Sequence, residues 1–491
     1  MRDTLFHLER RNNVSIQAQI REMLVDSILA GNLPAGEVLP SCRKLAKQLK
    51  VSRNTVVLAY QGLADDGYLV AKERSGFYVN PDILEGRVER DGDTTDSSSD
   101  TSTVDWRGRL RSVMSYRQWS YKLADWRHVP YPFLYGQLDY SLFPIAAWRE
   151  CSRQAMGRKV MEELTQDAYD QDDPELIDQI RTRLLPRRGI TAKSSEILVT
   201  LGAQNALYLL SSLLVRPDDC VGIENPGYPD ARNIFRLYSQ SIRSIPVDGD
   251  GMQVDETIDG CRYAFVTPSH HFPTTVTMSM ERRRALLEKA SAKDILIIED
   301  DYEPETNFVS NPAPALKSLD RDGRVVYLGS FSKSLFPGLR LGYIVAPSPL
   351  IEELRALRRL MYRHPPSNNQ RTAALFLAQG HYDSLVAKLQ RVYRERWEAM
   401  REALSKYLPN AAETPTFGGT SYWVEGPKGL NSLEFAERAL DHGVALEPCV
   451  DHFAEPDGPK HFFRLGISSI PVERIEPGVE LISELLREEP V

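Results

Sequence analysis

A chain of 491 residues, 42% hydrophobic and 26% charged, has the length of two or three domains and the composition of an ordinary soluble protein. No apolar run reaches the roughly 18 residues that cross a bilayer, the charged stretch Met1–Arg11 lacks a signal-peptide core, and five scattered cysteines form no CxxC pair. These features exclude a membrane partner, a disulfide framework and a cysteine–zinc site, no metal is expected, and a reducing cytoplasm is the expected location. The net charge of −8 is uneven: residues 1–79 hold 11 Lys+Arg against 8 Asp+Glu, the remainder 49 against 60. A basic N-terminal unit on an acidic body points to nucleic-acid contact by that unit alone.

Residues 14–30 place Ile16, Ile20, Met23, Leu24 and Ile28 on one helical face, and Gly31 ends that helix. Ser41 caps a second helix, with Leu45, Ala46 and Leu49 inward. The connection Lys50-Val51-Ser52 leads to a third, capped by Ser52, with Val56, Ala59, Tyr60 and Leu63 toward the core. Tyr68–Lys72 and Gly76–Val79 read as two short strands around the tip Glu73-Arg74-Ser75. Helix, short turn, helix and hairpin form a winged helix-turn-helix, whose third helix here enters the major groove of double-stranded DNA by its N-terminus. Base and phosphate contacts then fall to Ser52, Arg53, Asn54 and Thr55, with Arg53 suited to a bidentate contact on guanine. Arg43 and Lys44 reach the backbone, and the wing offers Arg74, Ser75 and Gly76. The run LPSCRKLAKQLKVSRNTVVLAYQGLADDGYLV, followed by RSGFYV, resembles the DNA-binding domain of the GntR family, assigned to residues 1–80. Cys42 sits at a usually variable site, and Arg74 stands where a glycine often opens the wing tip.

Residues 81–125 read as a flexible tether, because Gly86–Val104 is rich in Asp, Ser, Thr and Gly without apolar periodicity. The body, 126–491, alternates short apolar runs with helical segments. Strands are predicted at Ile197–Thr200, Val221–Glu224, Tyr263–Val266, Ile295–Glu299, Val325–Leu328 and Leu341–Ala346, and a helix at Ala203–Val215. Such alternation predicts a mainly parallel sheet with helices on both faces, and ligands beyond the carboxyl ends of the strands. There Gly202, Ala203 and Gln204 form a strand-to-helix junction able to bind an anion. Tyr228 could lie on a heteroaromatic ring or fill a hole. Asp300, directly after ILIIE, could hold a pyridinium proton or serve as a turn residue, and Tyr302 could donate to a ring phenolate. In SFSKSLFPGLRLGY, Ser330–Tyr343, a single lysine lies between hydroxyls and Arg340 beyond a Pro-Gly turn. An imine-forming amine needs such a fixed place, and a phosphate such neighbours. Ser348 is predicted to cap a helix with Pro349 first, helices continue to about Leu408, and strands follow near Thr420–Val424 and His461–Gly466.

The Ser330–Tyr343 string resembles the lysine motif of fold-type-I aminotransferases, and EDDYEPE, ENPGYPD and TLGAQNAL stand in that family's order. The resemblance implies an α/β fold-type-I body with large and small subdomains, the small one mainly 365–491, that binds pyridoxal 5'-phosphate. It makes Lys333 the Schiff-base residue and gives the phosphate to Ser330, Ser332 and Arg340. Tyr169, in AYDQDDPEL, falls where the family often reaches a partner subunit's phosphate, though that motif's usual glycine is missing. HFFRLGISS makes Arg464 the anchor for an effector's acidic group. TPSHHFPTT departs: Phe272 stands where many aminotransferases place an asparagine against the ring oxygen.

A GntR-like head on such a body resembles the MocR-type subfamily of GntR regulators. That implies a homodimer, a non-enzymatic role with residual half-transamination at most, and an amino-acid or amine effector that forms an external aldimine and alters operator binding. A working aminotransferase with an appended reader, and a sensor of the cofactor itself in vitamin B6 synthesis, stay open. Effector identity (γ-aminobutyrate, taurine, an ectoine-derived diamino acid or another), operator sequence and the sign of regulation are not legible.

Overall fold

The computed structural model describes residues 6, 8, 11, 14–73, 75–84, 104–110, 123, 125–166, 169–309, 313–412, 418–455 and 457–488. The chain divides into two compact units, Met1–Arg111 and Ser112–Val491.

In the first unit, helix α1 (Ile16–Leu29) begins where Ser15 accepts a hydrogen bond from the Ala18 amide, leaving Ile20, Leu24 and Ile28 buried. Helices α2 (Cys42–Leu49) and α3 (Arg53–Asp65) start the same way, Ser41 capping Lys44 and Ser52 capping Thr55. Lys50, left-handed at φ 55°, ends α2 and makes the sharp turn between the pair. Their apolar stripes meet in one core with Leu33, Leu39, Leu69 and Val79. Strands β1 (Leu69–Lys72) and β2 (Gly76–Val79) pair antiparallel, Lys72 opposite Gly76, and form the wing. Within the stretch read as a tether, Pro81–Leu84 and Trp106–Arg109 are short helical turns, with Trp106 63% exposed; residues 85–103, 111–122 and 124 of it lie outside the described ones.

The second unit is built on an eight-stranded sheet. In chain order its elements are β3 (Ile197–Thr200), α4 (Ala203–Leu214), β4 (Cys220–Asn225), β5 (Ser241–Asp248), β6 (Gly251–Met252), β7 (Tyr263–Val266), α5 (Met280–Lys293), β8 (Leu296–Asp301), β9 (Val325–Ser330) and β10 (Gly342–Val345). The spatial order is β3-β10-β9-β8-β7-β4-β5-β6. The five strands β9, β8, β7, β4 and β5 run parallel, while β10 pairs antiparallel with both β9 and β3. The central strands are buried on both faces and read as unbroken apolar runs, so they stand out in the sequence. Strands β5 and β6 do not. SIRSIPVD is charged, carries Pro246 and lies toward the edge, where one face meets water.

Helices α6 (Ser348–Tyr362), α7 (Ser367–Ala378) and α8 (His381–Tyr407) lead into a smaller layer. The cap of α6 is Pro347, one residue earlier than predicted, because Ser348 is already helical and its hydroxyl bonds Ser195 at 2.9 Å. The layer holds β11 (Ser421–Glu425), α9 (Ser432–Asp441), β12 (Glu447–Pro448), β13 (Phe462–Gly466) and α10 (Ile475–Arg487), with an antiparallel sheet of order β11-β13-β12. Among the described residues no helix is long and apolar enough to cross a membrane.

Candidate functional site

The carboxyl ends of β3, β4, β8 and β9 open into a cavity of about 330 Å³ lined by, among others, Tyr135, Ala203, Gln204, Tyr228, Asp300, Tyr302, Ser330, Ser332, Lys333 and Arg340. Strand β8 extends through Asp301, so Asp300 is a strand residue and not a turn. Side chains alternate along a strand, and this sorts the acids of EDD. Glu299 accepts from the Leu316 and Lys317 amides, and Asp301 accepts from Arg188 at 2.7 Å and Tyr327 at 2.9 Å. Asp300, alone on the other face, meets the cavity with one buried oxygen that has no hydrogen-bond partner. Burial pushes its carboxyl up to about 7, Asp301 adding to the rise and Lys333 opposing it. A buried carboxylate without a donor is costly, so the position fits a ligand that brings a proton of its own.

Lys333 lies on the turn between β9 and β10. Phe336, three residues on, locks that turn by packing edge-on against Phe143 at 5.3 Å and Trp148 at 5.0 Å. Those rings come from the segment YSLFPIAAW, whose aromatic richness thus serves to anchor the lysine loop. Lys333 Nζ sits 4.0 Å from the centre of the Tyr135 ring. Gly136 passes so close that a Cβ there would lie 2.3 Å from the amine.

At the other end, Gly202 at φ 90° is the N-terminal cap of α4 and offers no side-chain cap of its own, so the first amides of the helix are available to an anion. Arg340, itself left-handed at φ 53°, donates to the Leu201 carbonyl at 2.9 Å and lies against Gly202. Ser330 Oγ accepts from the Ser332 amide at 3.2 Å beside it. The walls are aromatic. Phe272 stands edge-on to Tyr228 at 5.3 Å, to Tyr135 at 5.6 Å and to Tyr302 at 6.0 Å. The Tyr228 hydroxyl donates to Asp230 at 3.1 Å, whereas the buried Tyr302 hydroxyl has no hydrogen-bond partner. Behind Phe272 lie His270 and His271, both held neutral by burial, which pulls each down to about 3.

Three of the expected site residues, Gly202, Tyr169 and Arg464, are not among those that line this cavity. Tyr169 is 59% exposed on the surface, at φ 55° with the Arg359 guanidinium over its ring. Arg464 is buried behind Tyr135 and Phe272. Conversely Tyr135, Gly136, Thr267, Asp230 and Glu447 line the cavity and were not singled out from sequence. Tyr135 lies in the run YGQLDYSLFP, whose local pattern carries no sign of its contact with Lys333.

In the winged helix, Arg53 and Asn54 are exposed at the start of α3, and Arg43 and Lys44 are exposed on α2. The hydroxyls of Ser52 and Thr55 bond each other at 2.8 Å, so their first task is the cap. Ser75 bonds the Tyr78 hydroxyl at 2.6 Å, and Gly76, at φ 109°, opens β2. Arg74 lies outside the described residues.

These features define a class: a winged helix-turn-helix reader joined to an aminotransferase-type body with a site for an aldehyde cofactor. Residues 16–79 match the family described as bacterial regulatory proteins, gntR family, and residues 136–482 match aminotransferase class I and II. The HTH-type transcriptional regulator TauR of Rhodobacter capsulatus is 42% identical over 98% of this chain and 99% of its own length. The probable rhizopine catabolism regulatory protein MocR of Rhizobium meliloti is 34% identical over 82% of this chain and 79% of its own. Among solved structures, a kynurenine aminotransferase of Pyrococcus horikoshii, in complex with PMP, aligns with a TM-score of 0.70 at 27% identity, covering 78% of this chain and 98% of that one. The chain belongs to the MocR-type GntR family, DNA-binding transcriptional regulators with an aminotransferase-like domain for pyridoxal 5'-phosphate.

Proposed function

We propose that an amino compound is the signal this regulator reads, and that its reaction at Lys333 alters the grip of the winged helix on DNA. What supports this most is the convergence of the Lys333 amine, the unsatisfied Asp300 oxygen and the open amides after Gly202 on one cavity, in a chain that also carries a DNA reader. When bound, pyridoxal 5'-phosphate supplies an aldehyde carbon that condenses reversibly with amines. Lys333 would hold that carbon. Ala203 and Gln204 amides, with Ser330, Ser332 and Arg340, would hold the phosphate. Asp300 would hold the proton of the ring nitrogen, and Tyr302 would donate its hydroxyl hydrogen to the ring oxygen. Lys333 would yield its place to an incoming amine, and Arg464 would pair with that amine's acidic end. The freed Lys333 amine and the filled Arg464 site then favour a different arrangement of the body, and operator affinity shifts with that population.

We also propose a homodimer, supported by exposed apolar side chains near the phosphate cradle. Tyr208 and Met361 line a second cavity together with Arg340, and Leu360 is 86% exposed beside them. Turnover as an aminotransferase is the rival reading, favoured by Lys333, Asp300 and Arg340 standing together. Phe272 speaks against it, since it is an apolar ring where many aminotransferases add an asparagine to the ring-oxygen contact, which is left to Tyr302 alone. Mixing the loaded protein with amino donors and oxo-acid acceptors separates the two. A change in cofactor absorbance without sustained product formation is expected of a sensor, and steady turnover would overturn that reading.

A further inference from the structure

The two proposed anchors do not face the same open space. Lys333 lines the cavity, whereas Arg464 is 1% exposed behind Tyr135, Phe272 and Glu447, which do line it. Its guanidinium carbon is 3.8 Å from the centre of the Tyr135 ring and 4.5 Å from that of Phe272. It donates to Ser421 Oγ at 2.9 Å and pairs loosely with Glu447 at 3.6 Å, while Nε and Nη1 make no hydrogen bond. A wholly buried cation therefore keeps donors unspent, which is unusual unless a ligand takes them. The Tyr135 ring also carries Lys333 Nζ at 4.0 Å. One aromatic ring thus sits on both cations that the two ends of an amino acid would occupy.

An acid group bound for Arg464 must move one of its three covers. Phe272 is 7% exposed in a loop whose backbone is closed by the His271–Val276 and Thr275–His271 hydrogen bonds. Glu447 belongs to β12, in register with Arg464 itself. Tyr135 belongs to no helix or strand, is only half-buried, and is followed by Gly136 at φ 73°. Unlike Glu447 it lies in no strand, and its side chain is held by a hydrogen bond to Glu303 and by the ring and cation contacts around it.

We propose that Tyr135 is a displaceable cover of the effector site: its ring stands in on Arg464 for the effector's acidic end, and an amine bearing an acid group expels it. The inference rests on the reading of Lys333 and Arg464 given above. A carboxylate or sulfonate offers the guanidinium a charge-assisted bidentate pair that outweighs the ring contact, whereas a plain amine offers nothing and leaves the ring seated. Both anchors touch one ring, so the fitting effector is a short amino acid and not a peptide or polyamine.

The test titrates the cofactor-loaded, full-length protein with pairs that differ only in the acid group. These are 3-aminopropanoate and 2-aminoethanesulfonate, each against ethylamine, and 4-aminobutanoate against propylamine. Binding is followed by cofactor absorbance, and hydrogen exchange is followed in the peptide around 131–142. In the unmodified protein, at least one acid-bearing partner is expected to raise exchange around Tyr135, and its plain amine is not. Tyr135→Ala is expected to increase the preference for that acid-bearing partner by roughly ten- to thirty-fold, the worth of a desolvated cation–π contact. Tyr135→Phe keeps the ring and should stay within about threefold of the unmodified preference. Unchanged preferences in Tyr135→Ala for all pairs, or exchange that rises equally with ethylamine, would overturn the proposal. Failure of the underlying reading looks different: no amine, with or without an acid group, would change the cofactor absorbance of the unmodified protein.

Discussion

Asp300 shows how one residue's surroundings set a measurable property. Its carboxyl, pushed by burial to about 7 from an ordinary 3.8, keeps a proton in the folded cofactor-free protein that the unfolded chain releases. The folded state then binds more protons between those values, so its stability falls as pH climbs from roughly 4 through 7. Glu224, raised to about 8 by burial, works in the same direction. Asp300→Asn is expected to flatten the pH dependence of the melting temperature of the cofactor-free protein over that window, and to weaken cofactor retention by roughly tenfold or more through loss of a charge-assisted bond. A slope unchanged by the substitution would contradict this assignment. In the reader, Arg53→Ala should cost about 1–3 kcal/mol on a guanine-containing site and relax the preference at that base. Lys44→Ala should instead weaken binding to all sequences alike and lower the salt dependence by about one counterion. Binding measured over a series of salt concentrations distinguishes them.

At the scale of elements, the proposed phosphate end depends on a helix whose first turn has no side-chain cap. Gly202 permits this because its φ of 90° is strained for any other residue, and because a Cβ would come within 3.2 Å of Arg340. Gly202→Ala should cost about 1–2 kcal/mol in backbone strain and lower cofactor affinity by roughly tenfold, readable by titrating the cofactor against absorbance. The amine end, Lys333, should be less affected. This element-level plan was largely legible in the sequence. Buried parallel strands advertise themselves as apolar runs, and the chemistry-bearing residues Gly202, Asp300, Lys333 and Arg340 sit at strand ends with spacings that the turns dictate. Edge strand β5 was not legible, because Arg243 and Pro246 break its pattern while its outer neighbour is only Gly251–Met252. Nor was Tyr135. Its role comes from tertiary placement, a ring brought to Lys333 and Arg464 from a segment distant from both, and no local periodicity encodes such a meeting. Arg464 was legible as an arginine on a strand, but not its burial, which follows from Tyr135 and Phe272 closing over it.

For the whole molecule, what matters is the covalent union of a GntR-type DNA-binding head and an aminotransferase-like body. The head alone explains DNA binding and the body alone explains cofactor binding; regulation requires that the state of one alter the affinity of the other by a coupling free energy of about 1–3 kcal/mol. The most direct measurement is the affinity of the full-length, cofactor-loaded protein for DNA fragments selected by binding, with and without amino compounds, alongside Lys333→Ala. The account predicts that at least one short amino acid changes operator affinity by roughly 5- to 150-fold in the unmodified protein, and that Lys333→Ala binds the same DNA without any such response. An undiminished response in Lys333→Ala would contradict it.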